Sequence, residues 1–512
     1  GKPMAGTIMP RFVDRGEVTK NVFGYDSHVL EINPKSGLYP LYMAYSMYLQ
    51  AVKPAYNDNE LLDTPSDDLV PWDQILDENI FVITRTPMAA SITRRTLAGF
   101  RKDVRMNVWC YKHKFTVGQL VKAKVLKNDL SLNKDEIRDC DIVDVLRVNP
   151  QLFIDDVINT DFWKDKTGYK HNMDGSKKLK FNAIVGNPPY QVNIGIEKDN
   201  YGILIFGKFI DVAKNIKPSY ISMIVPSRWF TGGRGLDAFR SEMLKDQSMR
   251  YIHDFADSKD IFPNVDISGG INYFLWDKKY KGECHFVTES TQGTQKAMLD
   301  LTQKDILSRH LYADKIISKI QNQTNNYIDQ FVSAQTPFGL ITSFKGEKES
   351  KDGLLTLYTS RGLEYVSPQL ITANEKLIDK FKVTISNATA EHAGIPDRKG
   401  MFRILSSPKI LRPQEVCTQS YRVIDAFDTE GEAVACLKYI ETCFVRILML
   451  PTLASQHISK ETFQFVPLQD FTPASDIDWT QSVADIDRQL YRKYGLSDEE
   501  VAFIEKMIKP ME

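Results

Sequence analysis

The sequence predicts an α/β protein with a doubly wound, mostly parallel sheet, followed by a mixed C-terminal region and terminal helices. Short apolar runs alternate with helix-like segments through residue 280, as expected of a parallel sheet covered by helices. After residue 285 this alternation stops, and residues 330–470 are irregular and rich in turn formers. Apolar residues then recur at helical spacing between Trp479 and Met507, which predicts two final helices joined near Gly495.

The predicted elements follow in chain order. Strands are expected at residues 27–30, 80–83, 157–158, 183–186, 220–225, 251–255 and 271–276, because these are short apolar runs next to turn-forming or polar residues. Helices are expected at residues 38–48, 89–100, 203–215 and 297–322. Residues 54–78 are acidic and rich in turn formers, which predicts an inserted surface loop.

The composition limits the classes of partner and compartment. The 512 residues, 42% of them hydrophobic, suffice for two to four domains. The formal net charge of −1 excludes a globally basic nucleic-acid binder, so any contact with DNA requires a local patch. Six scattered cysteines without a C-x-x-C pair predict a reduced, cytoplasmic protein with no structural metal. No run predicts a membrane span or a signal peptide, and Gly1 leaves open a removed tag or a longer chain.

A turn after the strand at residues 183–186 is the strongest functional signal. It consists of Asn187, Pro188, Pro189 and Tyr190, and the two prolines prevent the strand from continuing. The Asn187 side-chain oxygen and the Pro188 carbonyl could accept the two hydrogens of a planar amine, while the Tyr190 ring stacks on it. Such an amine is a poor nucleophile until its lone pair is drawn out of the ring. An ordinary Pro-Pro turn after a strand is the alternative interpretation.

Residues 181–191 resemble motif IV of the amino-methyltransferases, which use S-adenosylmethionine and methylate adenine in DNA or glutamine in proteins. Glu31, followed six residues later by Gly37, resembles motif I, in which an acidic residue and a glycine hold the methionine part of the cofactor. The chain departs from that motif at Lys35, where the family has a second glycine. The resemblance implies a cofactor site beyond the carboxyl ends of the strands.

Further segments extend the resemblance to the cofactor site. Asp161 resembles the motif III carboxylate that accepts a hydrogen bond from the adenine amine of the cofactor, and Phe162 is predicted beside it. Thr19 lies in a reduced counterpart of motif X, ahead of motif I. The carboxylate that normally binds the ribose hydroxyls has no clear counterpart, because Thr84 and Arg85 stand in its place.

The order of these motifs resembles the γ class of DNA adenine-N6 methyltransferases, including restriction–modification enzymes. These enzymes swing the target base out of the duplex and stack it, and Phe262 resembles the motif VIII residue on the opposite face of the base from Tyr190. The resemblance implies a Rossmann-like catalytic domain at 1–285, a helical linker at 286–330, a target-recognition domain at 331–470 and C-terminal helices at 471–512. Residues 398–412 contain no acidic residue and provide candidate DNA contacts: Arg398, Lys399, Arg403, Lys409 and Arg412.

Arg361 is a further candidate for base readout, and a solvated cationic loop is the alternative for residues 398–412. We therefore expect a site-specific DNA adenine-N6 methyltransferase that uses S-adenosylmethionine and binds double-stranded DNA. A nuclease or helicase on a partner subunit, or on an N-terminal portion outside this chain, is the additional partner that the resemblance allows. A protein glutamine N5-methyltransferase and a non-catalytic DNA-binding subunit with a decayed cofactor site are the two alternatives.

Overall fold

The computed structural model describes residues 17–24, 26–33, 36–52, 72–111, 133–167, 178–192, 203–232, 235–290, 293–390, 396–397, 399–453 and 457–511. Its helices are α1 Glu17–Phe23, α2 Leu38–Val52, α3 Trp72–Glu78, α4 Pro87–Ala98, α5 Lys134–Arg138, α6 Ile142–Val148, α7 Pro150–Val157, α8 Thr160–Thr167, α9 Phe206–Ile216, α10 Asp237–Lys245, α11 Leu311–Gln321, α12 Glu430–Glu441, α13 Cys443–Met449, α14 Val483–Lys493 and α15 Asp498–Met507.

The strands are β1 Val29–Ile32, β2 Ile80–Thr84, β3 Asn107–Cys110, β4 Ala183–Gly186, β5 Gln191–Val192, β6 Ile203–Leu204, β7 Tyr220–Pro226, β8 Met249–Phe255, β9 Ile271–Asp277, β10 Cys284–Ser290, β11 Gly293–Leu299, β12 Leu355–Thr359, β13 Gly362–Val366, β14 Phe381–Ser386, β15 Lys409–Leu411, β16 Glu415–Cys417 and β17 Tyr421–Phe427. Two compact units contain these elements.

The first unit comprises Gly1–Val225, Asp246–Ile252 and Asn272–His285. Eight strands of one sheet have residues in this unit and are hydrogen-bonded in the order β10-β8-β9-β7-β4-β1-β2-β3. β1 pairs in parallel with β2 on one side and with β4 on the other, and β4 pairs in parallel with β7. Every residue of β1 and β2 is buried, as expected of central strands covered on both faces. This arrangement confirms the predicted doubly wound sheet and brings the carboxyl ends of β1, β2 and β4 to one edge.

The strand predicted at residues 157–158 is wrong. α7 ends at Val157, and α8 begins at Thr160 after a short turn. Asn149 caps α7 by accepting a hydrogen bond from the Leu152 amide, and Pro150 occupies the first turn, where its missing N–H costs little. The strand beyond β2 is instead β3, which pairs with β2 in parallel. The loop predicted at residues 54–78 is also corrected in part, because residues 72–78 form α3 and residues 53–71 lie outside the described residues.

The second unit comprises Pro226–Lys245, His253–Ile271 and Phe286–Glu512. It contains two three-stranded sheets, β13-β12-β16 and β15-β14-β17, which confirm the mixed character predicted for the C-terminal region. Its main core packs α11, α12 and α13 against the terminal helices α14 and α15, both of which were predicted. The helix predicted over 297–322 is correct only for α11, since residues 293–299 form β11.

Among the described residues, no helix combines the length and the apolar character that a membrane crossing requires.

Candidate active site

A pocket of about 420 Å³ lies in the first unit where β1, β2 and β4 end. This volume is within the usual range for sites that bind small molecules and cofactors. The carboxyl edge of a parallel sheet is also where such ligands bind in doubly wound folds. The residues that line the pocket are Asn33, Arg85, Thr86, Met88, Ala89, Ile92, Asn187, Pro188, Pro189, Tyr190 and Gln191. The structure thus brings the four residues of the predicted motif IV turn together in one pocket.

Asn187 is held in place by backbone contacts between β4 and β1. A Cβ atom on Gly186 would come within 2.5 Å of the Ile32 carbonyl oxygen, so only glycine allows this approach. The next residue, Asn187, is buried, and its backbone carbonyl accepts a hydrogen bond of 2.6 Å from Asn33 Nδ2. The Asn187 side-chain amide makes no hydrogen bond with another described residue. Its oxygen is therefore available to a ligand in the pocket.

Tyr190 presents both a ring and a hydroxyl group at this site. Its hydroxyl oxygen is buried without a hydrogen-bond partner among the described residues, and desolvation raises the pKa of Tyr190 above its usual value. The hydroxyl group therefore stays protonated and can donate a hydrogen bond to a ligand. Pro188 is buried and Pro189 is half-buried beside it.

Glu31 carries a buried carboxyl group in the middle of β1. The residue is 0% exposed, and neither carboxylate oxygen has a hydrogen-bond partner among the described residues. Burial raises the pKa of Glu31 well above its usual value. A buried carboxyl group without a partner is costly, and a cationic group of a ligand would relieve that cost.

Gly37 and Thr19 are the other residues predicted near the methionine part of the cofactor. Gly37 has a φ of 73°, and a Cβ atom there would lie 2.8 Å from the Thr93 Cα atom. The structure thus gives the glycine a packing role between the start of α2 and the adjacent α4. Thr19 lies in α1, and its side chain is outside the described residues. Their contact with a cofactor stays a prediction.

Asp161 and Phe162 do not follow a strand as predicted. Asp161 is exposed in the first turn of α8, where its amide donates a hydrogen bond to Asn159 Oδ1. Phe162 is buried, and its ring lies edge-on to the Trp109 ring at 5.2 Å. Neither residue is among those that line the pocket. Their assignment to the adenine of a cofactor stays a prediction.

Sequence reasoning missed Asn33 and did not assign Arg85 a role in the pocket. Arg85 follows β2 directly, and its Nε donates a hydrogen bond of 3.0 Å to Asp141 Oδ2. The neighbouring Thr84 is fully buried, and its hydroxyl donates to the Trp109 carbonyl. An arginine paired with a carboxylate therefore stands at this part of the pocket. The Asn-Pro dipeptide that begins with Asn33 was the available sequence signal, because it favours a turn.

Phe262 belongs to the second unit. It is half-buried and follows a short 3-10 turn, Ser258–Asp260, with its amide donating to the Ser258 carbonyl. Its predicted place opposite Tyr190 on a target base stays a prediction.

Arg361 and Lys409 make contacts within the second unit. Arg361 donates hydrogen bonds to the Thr342 and Phe344 carbonyls and forms an ion pair of 3.3 Å with Glu364. The Gly346 amide first, and then Arg361, lower the pKa of Glu364 to about 2. The Lys409 ammonium group lies over two aromatic rings, 4.4 Å from the centroid of Tyr358 and 4.0 Å from that of Tyr421.

Lys399, Arg403 and Arg412 are exposed, whereas Arg398 lies outside the described residues. Arg412 forms an exposed ion pair of 3.2 Å with Glu430.

The C-terminal segment lies beside Arg403. Phe402 forms a parallel bridge with Ile508, and the Lys509 amide donates to the Phe402 carbonyl. The next residues in register are Arg403 and Lys509, both of which are exposed. The buried Arg446 donates to the backbone carbonyls of both. One guanidinium nitrogen thus connects the backbones of Arg403 and Lys509.

Known proteins resemble parts of this chain in family, in sequence and in fold. Residues 78–262 match the model of the Eco57I restriction-modification methylase family. Over 130 residues the chain is 33% identical to an "Uncharacterized adenine-specific methylase" of Mycoplasma pneumoniae (strain ATCC 29342 / M129 / Subtype 1). That alignment covers 25% of this chain and spans only 31% of the length of the relative. The fold is similar to that of the Type IIL restriction-modification enzyme MmeI in complex with DNA, with a TM-score of 0.50 and 9% identity over 94% of this chain and 72% of that chain.

Proposed function

We propose that the protein is a site-specific DNA methyltransferase acting on the exocyclic N6 of adenine, because residues 78–262 match the model of the Eco57I restriction-modification methylase family. The methyl donor would be S-adenosylmethionine. The observation that carries this proposal is the Asn187 amide, which is available to a ligand in a pocket at the carboxyl edge of the sheet. The similarity to the "Uncharacterized adenine-specific methylase" of Mycoplasma pneumoniae supports adenine as the target.

Glu31, which is buried behind the residues that line the pocket, agrees with the family pattern for cofactor binding, whereas the pocket residue Arg85 departs from it. The buried Glu31 carboxyl group, which has no hydrogen-bond partner among the described residues, would hold the α-ammonium group of S-adenosylmethionine. Arg85 would face the ribose, where related enzymes present a carboxylate. When bound, the cofactor supplies an electrophilic methyl group on a sulfonium centre.

The residues of the turn would activate and orient the target amine. The Asn187 side-chain oxygen and the Pro188 carbonyl would accept its two hydrogens, which draws the lone pair out of conjugation with the ring. The Tyr190 ring would stack on one face of the flipped base, and Phe262 is proposed for the other face. Acceptors that are already fixed in a partly desolvated pocket need little reorganisation during the reaction, so no strong general base is required.

We propose that double-stranded DNA is bound in part by the exposed cations of the second unit. These are Lys399, Arg403, Arg412 and Lys509, of which Arg403 and Lys509 are neighbours in register. Such cations contact phosphates and orient the duplex.

The decisive experiment compares Asn187→Ala with Gln191→Ala, which changes an exposed residue that lines the same pocket. The recognition sequence is first identified by methylation-sensitive sequencing of DNA from cells that express the chain. Asn187→Ala should then abolish methyl transfer while cofactor affinity, measured by calorimetry, stays within a few-fold, because the Asn187 contact is made with the target. Gln191→Ala should retain transfer.

Three results would contradict the proposal, each in a distinct way. Near-normal turnover of Asn187→Ala would exclude the turn as the site of methyl transfer. A wild-type protein that binds DNA but no cofactor would be a non-catalytic DNA-binding subunit. Methylation of glutamine in a peptide, without methylation of DNA, would identify a protein methyltransferase.

A further inference from the structure

Asn33 connects the ends of three strands at the pocket. Its side chain reaches the end of β4, where Nδ2 donates to the Asn187 carbonyl at 2.6 Å. Its own amide donates to the Ile83 carbonyl of β2 at 2.7 Å. Both Asn33 and Asn187 are buried, and both line the pocket. We infer that Asn33 is a positioning residue for methyl transfer, which fixes the direction of the two acceptors proposed for the target amine. This inference rests on the proposed function.

The effect of Asn33 follows from the geometry of the peptide bond. The Asn187 carbonyl belongs to the planar peptide group that joins Asn187 to Pro188. The hydrogen bond from Asn33 to the carbonyl oxygen fixes the rotation of this peptide plane relative to β1. The nitrogen of the same peptide group belongs to Pro188, which has no N–H and cannot donate a second hydrogen bond to fix the plane. The Asn187 side chain and the Pro188 carbonyl, which flank this plane, are oriented with it. Displacement of such groups by about 1 Å can reduce a rate by about 100-fold.

The backbone conformation of Asn33 allows the role of its side chain to be tested separately. Its φ of 68° lies in the left-handed region, which glycine adopts freely and which asparagine and aspartate tolerate better than other residues. Glycine would therefore satisfy the backbone at this position without strain. The side-chain amide adds the hydrogen bond to Asn187, so the role that we assign to Asn33 can be separated experimentally from its backbone conformation.

Two substitutions isolate that hydrogen bond. Asn33→Gly keeps the left-handed backbone and removes the bond, and it should lower kcat by about 10- to 100-fold. The cofactor dissociation constant, measured by calorimetry, should stay within a few-fold. Asn33→Asp keeps the shape of the side chain but places a carboxylate against the Asn187 carbonyl. Its kcat relative to wild type should rise as the pH falls, because a protonated carboxyl group can donate the missing hydrogen bond.

Asn79→Ala is the matched control. Asn79 is buried in the same unit just before β2, and its Nδ2 donates to the Ser27 carbonyl at 2.9 Å. It thus makes the same type of bond at the opposite edge of the sheet. Asn79→Ala should lower the melting temperature while kcat remains at the wild-type value. Asn33→Gly should lower kcat even where circular dichroism shows the protein fully folded.

The outcomes separate this inference from the proposed function. If the wild type methylates DNA and Asn33→Gly retains its kcat, the positioning role is wrong and the proposed function stands. A fall in kcat that only follows the folded fraction, with no pH-dependent recovery in Asn33→Asp, would also overturn the positioning role. A wild type without methyl transfer to DNA overturns the proposed function, and the inference with it.

Discussion

Replacing Glu31 by glutamine should stabilise the ligand-free protein at neutral pH and weaken its binding of the cofactor. The Glu31 side chain is 0% exposed, its oxygens have no partner among the described residues, and burial raises its pKa. Glutamine has nearly the same shape but cannot ionise. The substitution therefore removes the cost of burying a carboxyl group without opening a cavity.

The sign of the pH dependence follows from the raised pKa. Below the unfolded-state pKa of 4.5, the Glu31 carboxyl group is neutral in both states, so the wild type and Glu31→Gln differ least. Above it, the unfolded chain ionises while the folded protein resists ionisation. The wild type then loses up to about 1.4 kcal/mol of stability per pH unit until the folded-state pKa is reached. The advantage of the variant should therefore grow as the pH rises above 5, until the folded-state pKa is reached.

Urea denaturation at a series of pH values measures this difference directly. The matched control is Asp156→Asn, since Asp156 is a buried carboxylate of the same unit that is paired with Arg138 at 2.5 Å. That variant should lose stability at neutral pH, because it leaves Arg138 without its buried partner. A stability difference between Glu31→Gln and wild type that does not change with pH would refute the reasoning.

The same variant tests the role of Glu31 toward the cofactor. An ammonium group placed beside the carboxyl group should lower its pKa, so wild-type binding should release a proton. Calorimetry in two buffers with different ionisation heats detects that proton. Glu31→Gln should bind more weakly and release none, whereas equal affinity and proton release in both proteins would exclude the contact.

Three further predictions concern the other candidate residues. Asp161→Ala should weaken binding of S-adenosylmethionine by roughly 1–3 kcal/mol without DNA present, and unchanged affinity in calorimetry would leave Asp161 as an exposed helix residue. Arg403→Ala combined with Lys509→Ala should weaken binding to cognate and scrambled duplexes alike and reduce the salt slope by about one for each phosphate that the variant no longer neutralises. An unchanged slope would place the DNA surface elsewhere. Arg361→Ala should lower the melting temperature of the protein, because the buried Glu364 loses one of its two counter-charges, and a fall in base discrimination without loss of stability would contradict this internal role.

The strands that sequence reasoning found are those whose apolar runs have strand length and clear ends. β2, β4 and β7 are of this kind, since each is a run of apolar residues that ends at a polar residue or a proline. The strand predicted at Val157 failed because Leu152, Phe153 and Val157 recur at helical spacing within α7. β3 was missed because it begins with the polar Asn107, so its apolar run is shorter than the strand itself.

The motif IV turn was predictable because its four residues are consecutive. The role of Asn33 could not be predicted in this way. Asn33 and Asn187 are 154 residues apart in the sequence, and they come into contact only when β1 and β4 pair. Charge alone also could not separate the cations near the predicted DNA surface. Arg361 is paired with the buried Glu364 and Lys409 lies over two aromatic rings, and these contacts appear only in the three-dimensional arrangement.

The close approach of Gly186 to β1 limits which sequences can carry this site. Any side chain at that position would place its first carbon 2.5 Å from the Ile32 carbonyl oxygen, and rotation about χ angles cannot relieve a clash that begins at Cβ. The spacing of the two strand ends is therefore set by backbone atoms and not by adjustable side chains. In a saturation library, position 186 should accept glycine alone, while the exposed Gln191 five residues later should accept many residues. The set of residues accepted at each position would therefore test whether β1 and β4 are packed as described. The test requires no ligand, substrate or known recognition sequence.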